Sequence, residues 1–370
     1  MLKVFEAFSG IGTQRMALNN INIDFKIVAT SEIDVNAIIA YANIHNAEKL
    51  SNIQSPNISE VKEYLRNLNI LSEDKVNKLS IHNLENLYKC SIANCNFGDI
   101  SKINIDNIPD HDLFTYSFPC QDLSTFGTKL GCEENSGTRS SLLWSCKSII
   151  EAKKPKFLLL ENVRNLLSST HVNNFQKWLD SLSNMGYKNF YKILDSADFG
   201  IPQRRKRVFV VSILNEEFQD INYNFPNNKS LQHIEEFIDL NLEFQEYDKH
   251  MELVNKNIPE NKLMFLDDRD FRFNGVMISD ICSTQRAGRT GLKVCYRDKE
   301  KIMYRNITWV ESWKLMGIAD SYINKIHGIL PNGALYKLAG NAIVVNVLEE
   351  IFKEIFSDLF NFKLEICKVS

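Results

Sequence analysis

No apolar run in the sequence approaches the roughly 18 residues that a membrane-spanning helix needs. The N-terminus, Met1-Leu2-Lys3-Val4-Phe5-Glu6, meets an acid at once and lacks a signal-peptide layout, so a cytoplasmic protein without membrane association is expected. The eight cysteines are scattered at 90, 95, 120, 132, 146, 282, 295 and 367, with no Cys-x-x-Cys pair and no histidines at zinc-ligand spacing. Neither a disulfide framework nor a metal site is therefore expected. Most of these thiols read as reduced core residues, and Cys120 is the exception taken up below. Repeats and low-complexity tracts are absent. There is also no basic excess: 43 Lys and Arg stand against 46 Asp and Glu, so composition alone carries no nucleic-acid signal.

What is present is ordinary globular material, 44% hydrophobic and 24% charged, in a chain of 370 residues. That length suffices for one large domain and a smaller one. Over the first 215 residues short apolar runs alternate with helix-like stretches, the pattern of an α/β parallel sheet. Strands are expected at Leu2–Phe8, Phe25–Thr30, Leu113–Ser117, Phe157–Leu160 and Val208–Ile213, with amphipathic helices at Val35–Tyr41 and Leu142–Ala152. Ser51–Cys95 is long, polar and partly helical, with Val61, Leu65 and Leu68 at helical spacing, and reads as an elaboration of no evident role. Residues 222 to 303 lose the alternation and suggest a smaller, irregular domain. From Thr308 the pattern is helical again, ending in an amphipathic helix over Val345–Phe356.

Chemically capable residues follow the strands. The first strand runs into Phe8-Ser9-Gly10-Ile11-Gly12-Thr13, a glycine turn that lets backbone approach a ligand. Ser31-Glu32 closes the second, roughly 20 residues past the glycines, where nucleotide folds hold an acid on ribose hydroxyls. Gly98-Asp99-Ile100 follows the apolar segment Ile92–Phe97, Pro119-Cys120 follows the third strand, and Glu161-Asn162 follows the fourth. Carboxyl ends of parallel strands share one edge, and ligands bind there. Each residue has an ordinary explanation: Glu32 and Glu161 as acids near a helix start, Asp99 as a turn residue. Their convergence on one edge outweighs it. Gln203-Arg204-Arg205-Lys206-Arg207 precedes its strand, so it joins that edge only if Val208–Ile213 runs antiparallel. A second basic cluster spans Arg286 to Arg305, with Arg286, Arg289, Lys293, Arg297, Lys299, Lys301 and Arg305 against Asp298 and Glu300.

In this order the motifs resemble those of the bacterial DNA (cytosine-5-)methyltransferases over nearly the whole chain. The resemblance rests on Phe5-Glu6-Ala7-Phe8-Ser9-Gly10-Ile11-Gly12, Glu32, Gly98-Asp99-Ile100, Ser117-Phe118-Pro119-Cys120-Gln121-Asp122-Leu123-Ser124, Glu161-Asn162-Val163 and Gln203–Arg207. It continues through Arg305-Asn306-Ile307-Thr308, Glu311, Leu315-Met316-Gly317 and Gly340-Asn341-Ala342-Ile343-Val344-Val345. The catalytic half, with Thr115-Tyr116 and Gly137-Thr138-Arg139-Ser140, is most similar to mollicute CpG methyltransferases. Ser117 and Thr13 stand where the family favours Gly, and neither change removes a catalytic group.

The resemblance implies a Rossmann-like class I methyltransferase fold, α/β and mostly parallel with an antiparallel strand, plus a smaller irregular target-recognition domain. It divides the chain into a catalytic domain (1–222 and 332–370), a target-recognition domain (223–303) and a connecting segment (304–331). Implied catalytic residues are Cys120, Glu161, Asn162, Arg205 and Arg207. S-adenosylmethionine would meet Phe8, Ser9, Gly10, Ile11, Gly12, Glu32, Ile33, Asp99, Ile100, Pro119, Asn341 and Ala342, leaving S-adenosylhomocysteine. Double-stranded DNA would meet Gln121, Ser124, Arg204, Arg286, Arg289 and Lys293, with no metal, a monomeric enzyme and a separately acting restriction endonuclease as partner.

The chemistry suits those residue types. Carbon 5 of cytosine is a weak nucleophile until a thiolate adds to carbon 6. A thiol of pKa near ~8.5 is helped by nearby arginines, and a buried carboxyl such as Glu161 stabilises charge developing on the base. The base must leave the duplex to be reached, and the loop Gln121–Gly137 has the small polar residues of a lid. Three rivals are weaker. A tRNA cytosine methyltransferase of this fold carries a Cys-Phe-Thr that is absent here. A non-catalytic DNA-binding relative would lack Cys120, Glu161 or the arginines. A dinucleotide oxidoreductase needs a full Gly-x-Gly-x-x-Gly, broken here by Arg15.

Overall fold

The computed structural model describes residues 1–118, 142–215, 223–227, 230, 233–247, 258–267, 277–287 and 291–366, with side chains through 356. The chain divides into two compact units. One comprises Met1–Leu194, Lys206–Pro226 and Leu348–Ser370, and the other Asp195–Arg205 and Asn227–Val347.

The first unit is built on six strands: β1 (Leu2–Ala7), β2 (Phe25–Ser31), β3 (Leu113–Tyr116), β4 (Phe157–Val163), β5 (Tyr187–Asp195) and β6 (Lys206–Leu214), in the order β2-β1-β3-β4-β6-β5. β3 (Leu-Phe-Thr-Tyr) is buried at every position and β4 (Phe-Leu-Leu-Leu-Glu-Asn-Val) at all but its last. Both faces of a parallel sheet are covered by crossover helices, so its central strands read as continuous apolar runs. β1 pairs parallel with β2 and β3, and β3 pairs parallel with β4. β6 then runs antiparallel to β4, as the placement of Arg207 required. β5 went unpredicted because Tyr-Lys-Asn-Phe-Tyr-Lys-Ile-Leu-Asp mixes polar with apolar residues and is exposed or half-buried through its middle, as an edge strand permits.

The helices of this unit begin with α1 (Thr13–Asn20) and α2 (Val35–His45). The 51–95 elaboration follows α3 (Ala47–Asn52) as α4 (Ile58–Asn67), α5 (Glu73–Lys78) and α6 (Ile81–Ala93); α7 (Leu142–Lys153) and α8 (Val172–Asn184) complete the set. The elaboration has a core of its own, in which Val61, Leu65, Val76, Leu84 and Leu87 pack with Ile38 and Ala42 of α2. Its helical spacing is therefore a packing face. The apolar segment Ile92–Phe97 is the end of α6 and a single parallel bridge from Asn96 to Thr30, not a full strand. Asp99 still reaches the carboxyl edge, because that bridge sets it beside β2.

The stretch expected to be irregular contains an antiparallel sheet of β7 (Gln245–Glu246), β8 (Met264–Asp267), β9 (Met277–Ser279), β10 (Lys293–Asp298) and β11 (Lys301–Asn306), ordered β7-β11-β10-β8-β9. Its strands are short, so the signal per strand is weak. The core is Tyr247, Ile258, Met264, Leu266, Cys295 and Ile302. β10 and β11 form a hairpin whose turn uses Lys299 at φ 55°. This unit also takes in the Asp195–Arg205 loop and the chain from 304 to 347.

The second unit contains a buried ion pair between Arg305 and Glu311. Arg305, only 7% exposed, donates to both carboxylate oxygens of Glu311 at 2.9 and 2.6 Å and to the Asp239 carbonyl at 2.6 Å. Glu311 simultaneously closes a capping box with Thr308 at the start of the helix Trp309–Lys314. Removing one member of a buried pair strands the other charge. Glu311→Ala is therefore expected to lower stability by roughly 3–5 kcal/mol, read as a lower denaturant midpoint.

Candidate active site

Parallel pairing brings the carboxyl ends of β1, β2, β3 and β4 to one edge, and the antiparallel step brings the amino end of β6 there too. Beyond β1 the chain turns through Phe8 (φ 54°), Gly10 (φ 54°) and Gly12 (φ 76°), all left-handed. Phe8 carries a side chain in a region that costs non-glycine residues on the order of 1 kcal/mol. A Cβ on Gly12 would lie 2.6 Å from both His45 Nε2 and the Tyr41 ring, whereas one on Gly10 would meet nothing within 4 Å. The turn is thus packed from behind and open at Gly10.

Behind it lies a polar network that sequence reasoning passed over. Glu6, fully buried in β1, accepts from the Arg15 N–H at 3.0 Å and the Tyr41 hydroxyl at 2.5 Å. Arg15 extends to Asn46 Oδ1 and the His45 carbonyl, and the His45 ring bonds the Ile11 carbonyl at 3.0 Å. Burial raises the Glu6 pKa to about 7, against the opposing pull of the Tyr41 hydroxyl and Arg15. An acid set among the apolar residues Val4, Phe5 and Ala7 of β1 was the available signal.

Glu32, one residue past β2, accepts from the backbone N–H groups of Gly10 (2.9 Å), Ile33 (2.8 Å) and Asp34 (2.8 Å). Burial raises its carboxyl pKa despite those donors. Ile33 beside it is 50% exposed, an apolar face at the sheet edge. Asp99 is half-buried and caps a short turn by accepting from Ser101, and Ile100 is buried. Phe8, Ser9, Gly10, Ile11, Gly12, Glu32, Ile33, Asp99 and Ile100 therefore gather along one edge.

Glu161 and Asn162 lie within the last residues of β4, not beyond it. Arg207, at the start of β6, reaches the carboxylate with Nε 3.1 Å from Oε1, both side chains largely buried. The register makes this possible: Val163 faces Arg207 and Glu161 faces Phe209, so the two are diagonal neighbours. Asn162 donates to the Phe118 carbonyl at 3.1 Å, tying β4 to the chain two residues before Cys120. Pro119, Cys120, Gln121, Ser124, Arg289 and the lid loop lie outside the described residues.

Arg205 parts from Arg207. Within the second unit its guanidinium donates to the carbonyls of Gln285 (3.0 Å), Gly340 (2.9 Å) and Ala342 (2.8 Å). Its observed bonds thus hold backbone. Gln203 is likewise buried, bonding Leu315 and Gln285. Asn341 is exposed and Ala342 buried in that unit. Arg204 is exposed, Arg286 half-buried, and Lys293 half-buried with Nζ 3.4 Å from the Gly291 carbonyl. Part of the basic excess is matched internally, by Arg305 on Glu311 and Lys301 on Glu246 at 2.8 Å. Among the described residues no group of three or more His, Cys, Asp or Glu could hold a metal ion, and no helix is long and apolar enough to cross a membrane.

The sheet order and this edge are those of a class I methyltransferase. A family profile described as C-5 cytosine-specific DNA methylase matches residues 2–72 and 76–357. The chain is 41% identical to type II methyltransferase M2.ScrFI of Lactococcus lactis subsp. cremoris, covering 96% of this chain and 99% of that one. It is 32% identical to orphan methyltransferase M.SssI of the mollicute Spiroplasma monobiae, covering 96% and 97%. In fold it is similar to the crystal structure of S. pombe Dnmt2, with a TM-score of 0.63 at 18% identity over 97% and 99% of the two chains. The chain belongs to the C-5 cytosine-specific DNA methylase family. It is an enzyme, a DNA (cytosine-5-)methyltransferase, of a family whose methyl donor is S-adenosylmethionine and whose substrate is DNA.

The raised Glu6 pKa has a testable sign. An acid whose pKa rises from 4.5 to about 7 on folding binds more protons in the native state, so its contribution is intact below pH 4.5 and is lost as pH climbs toward 7. Comparing denaturant unfolding at pH 5 and pH 7.5, Glu6→Gln is expected to flatten the decline seen in the parent enzyme by on the order of 3 kcal/mol.

Proposed function

We propose that the enzyme methylates carbon 5 of a cytosine rotated out of a specific double-stranded DNA sequence, through a covalent bond to Cys120. The observation that carries this reading is the Glu161–Arg207 pair at the sheet edge, with Asn162 fastened to Phe118 just before Cys120.

The residues present suit the donor. Gly10 offers open backbone, Glu32 and Asp99 offer carboxylates, and Ile33 offers an apolar face. When bound, S-adenosylmethionine supplies an electrophilic methyl group on a sulfonium and leaves as S-adenosylhomocysteine. Cys120 as thiolate adds to carbon 6 of the base, turning the ring into an enamine whose carbon 5 is nucleophilic. Glu161, anchored by Arg207, hydrogen-bonds the ring edge and stabilises the charge that develops there. After methyl transfer, loss of the carbon-5 proton expels Cys120 and restores the aromatic ring. Rotating the base out costs a few kcal/mol, which contacts from the lid loop and recognition residues offset.

Arg205 acts in this reading by holding Gly340 and Ala342, and so fixes the backbone of the Asn341-Ala342 segment. Residues 223–303 read the target, with Arg204, Arg286, Arg289 and Lys293 as contacts to bases or phosphates. The enzyme works as a cytoplasmic monomer and modifies DNA, whether beside a separately acting restriction endonuclease or as an orphan.

The reading is tested by incubating the purified protein with labelled donor and a mixed-sequence plasmid, then mapping 5-methylcytosine by bisulfite sequencing. One sequence context should be methylated, and Cys120→Ser should abolish it. Activity retained by Cys120→Ser would overturn the covalent step, and labelled tRNA beside unlabelled DNA would replace the substrate. Glu161→Gln is expected to lower kcat by about a hundred-fold or more. Arg207→Leu is expected to lower it by about ten-fold while leaving the donor KM within two-fold, since its bond is to Glu161.

A further inference from the structure

The helical elaboration between β2 and β3 ends in Asn94-Cys95-Asn96, and those residues do more than close a small core. The main chain there pairs with Thr30: the Thr30 N–H donates to the Cys95 carbonyl at 3.0 Å and the Phe97 N–H to the Thr30 carbonyl at 2.8 Å. The Asn96 side chain then carries the pairing two residues further along. Its Oδ1 accepts from the Glu32 N–H at 3.0 Å, and its Nδ2 donates to the Glu32 carbonyl at 3.1 Å. A side-chain amide thus takes the place of a peptide group beyond the end of β2. The same Oδ1 accepts from the Gly98 N–H at 3.2 Å, so one residue, 4% exposed, ties the Glu32 turn to the Gly98-Asp99 turn.

Neighbouring bonds point the same way. Ser31 Oγ donates to the Gly98 carbonyl at 2.7 Å, and the Asp99 N–H donates to the Leu68 carbonyl at 2.9 Å, just past α4. A Cβ on Gly98 would lie 1.9 Å from that carbonyl oxygen, so the Asp99 turn is seated directly on the elaboration. Asn94 bonds the Ile38 carbonyl of α2 and the Asn46 amide, fixing the end of α6 against the helix that follows Glu32.

We propose that Asn96 is a positioning residue for methyl-donor binding, setting the spacing of Glu32 and Asp99, and that the 51–95 elaboration holds it in place. This rests on the reading of Glu32 and Asp99 as donor-binding acids. Asparagine suits the position because the task needs an acceptor and a donor at one short reach, which neither Asp nor Ala supplies.

The test is calorimetric titration of the full-length enzyme with S-adenosylhomocysteine, without DNA, alongside steady-state kinetics. Asn96→Ala is expected to raise the dissociation constant about ten-fold, as lost hydrogen bonds of ordinary strength would. The donor KM should rise in step, while kcat at saturating donor and the DNA KM stay within two-fold. Asn96→Asp, which sets a buried carboxylate oxygen against the Glu32 carbonyl, should weaken binding at least as much as Asn96→Ala. A folded Asn96→Ala that binds as the parent enzyme does would overturn the proposal. So would a rise in both KM values with a collapsed kcat, the mark of general damage. Should Asn96→Ala not fold, Ser31→Ala, which removes only the hydroxyl bond to Gly98, is expected to weaken binding about three-fold, and unchanged affinity there overturns the proposal. A parent enzyme that does not bind S-adenosylhomocysteine would instead remove the donor reading beneath it.

Discussion

The Glu161 carboxylate and the Arg207 guanidinium, 3.1 Å apart, can meet only where the carboxyl end of one strand lies beside the amino end of the next. In a wholly parallel sheet Arg207 would stand at the opposite edge, a strand length away. The reversal of β6 against β4 is what moves it, and the offset register then sets the two side chains diagonally on one face. Both charges are largely withdrawn from water, so each needs the other, and the loss of either partner is costly. The bond from Asn162 to Phe118 extends this constraint to the chain entering Cys120. Arg207 shares an edge with the carboxyl ends of β1 to β4 because of this one reversal.

The rest of that edge is held from behind by polar groups, and apolar packing alone would not specify it. Glu6 sits within β1 under the glycine turn, bonded to Tyr41 and Arg15, while His45 meets the Ile11 carbonyl. Glu32 accepts from three backbone N–H groups, those of Gly10, Ile33 and Asp34. Such networks have directional bonds, so they place a loop within tenths of an ångström where hydrophobic contact would leave it free to slide. The left-handed Phe8 belongs to the same economy of position, strained where the turn after β1 is sharp.

Much of this was legible from residues alone. Apolar runs marked β1 to β4 because buried parallel strands have no polar face to disguise them. The candidate residues Ser9, Gly10 and Glu32 drew notice by following those runs, whereas Glu161 and Asn162 lie inside the fourth. β5 was missed because an exposed edge strand has no such signature. The sheet of the second unit was missed because its strands are two to six residues long. Arg205 and Arg207 look equivalent in the run Gln-Arg-Arg-Lys-Arg. Yet Arg207 turns to Glu161, and Arg205 binds the carbonyls of Gln285, Gly340 and Ala342, up to 137 residues away. Asn96 carried no signal, since an asparagine in a polar connection is ordinary until its partners are known.

The sequence by itself determined the class of enzyme, a mostly parallel sheet with an antiparallel strand, and where the candidate reactive groups fall along the chain. These depend on local pattern: hydrophobic period, glycine turns, and a cysteine and acids at strand ends. Tertiary structure alone decided which of those groups touch. Hydrogen bonds and ion pairs form between residues brought together by the register and direction of strands far apart in the chain, and no short stretch of sequence encodes them.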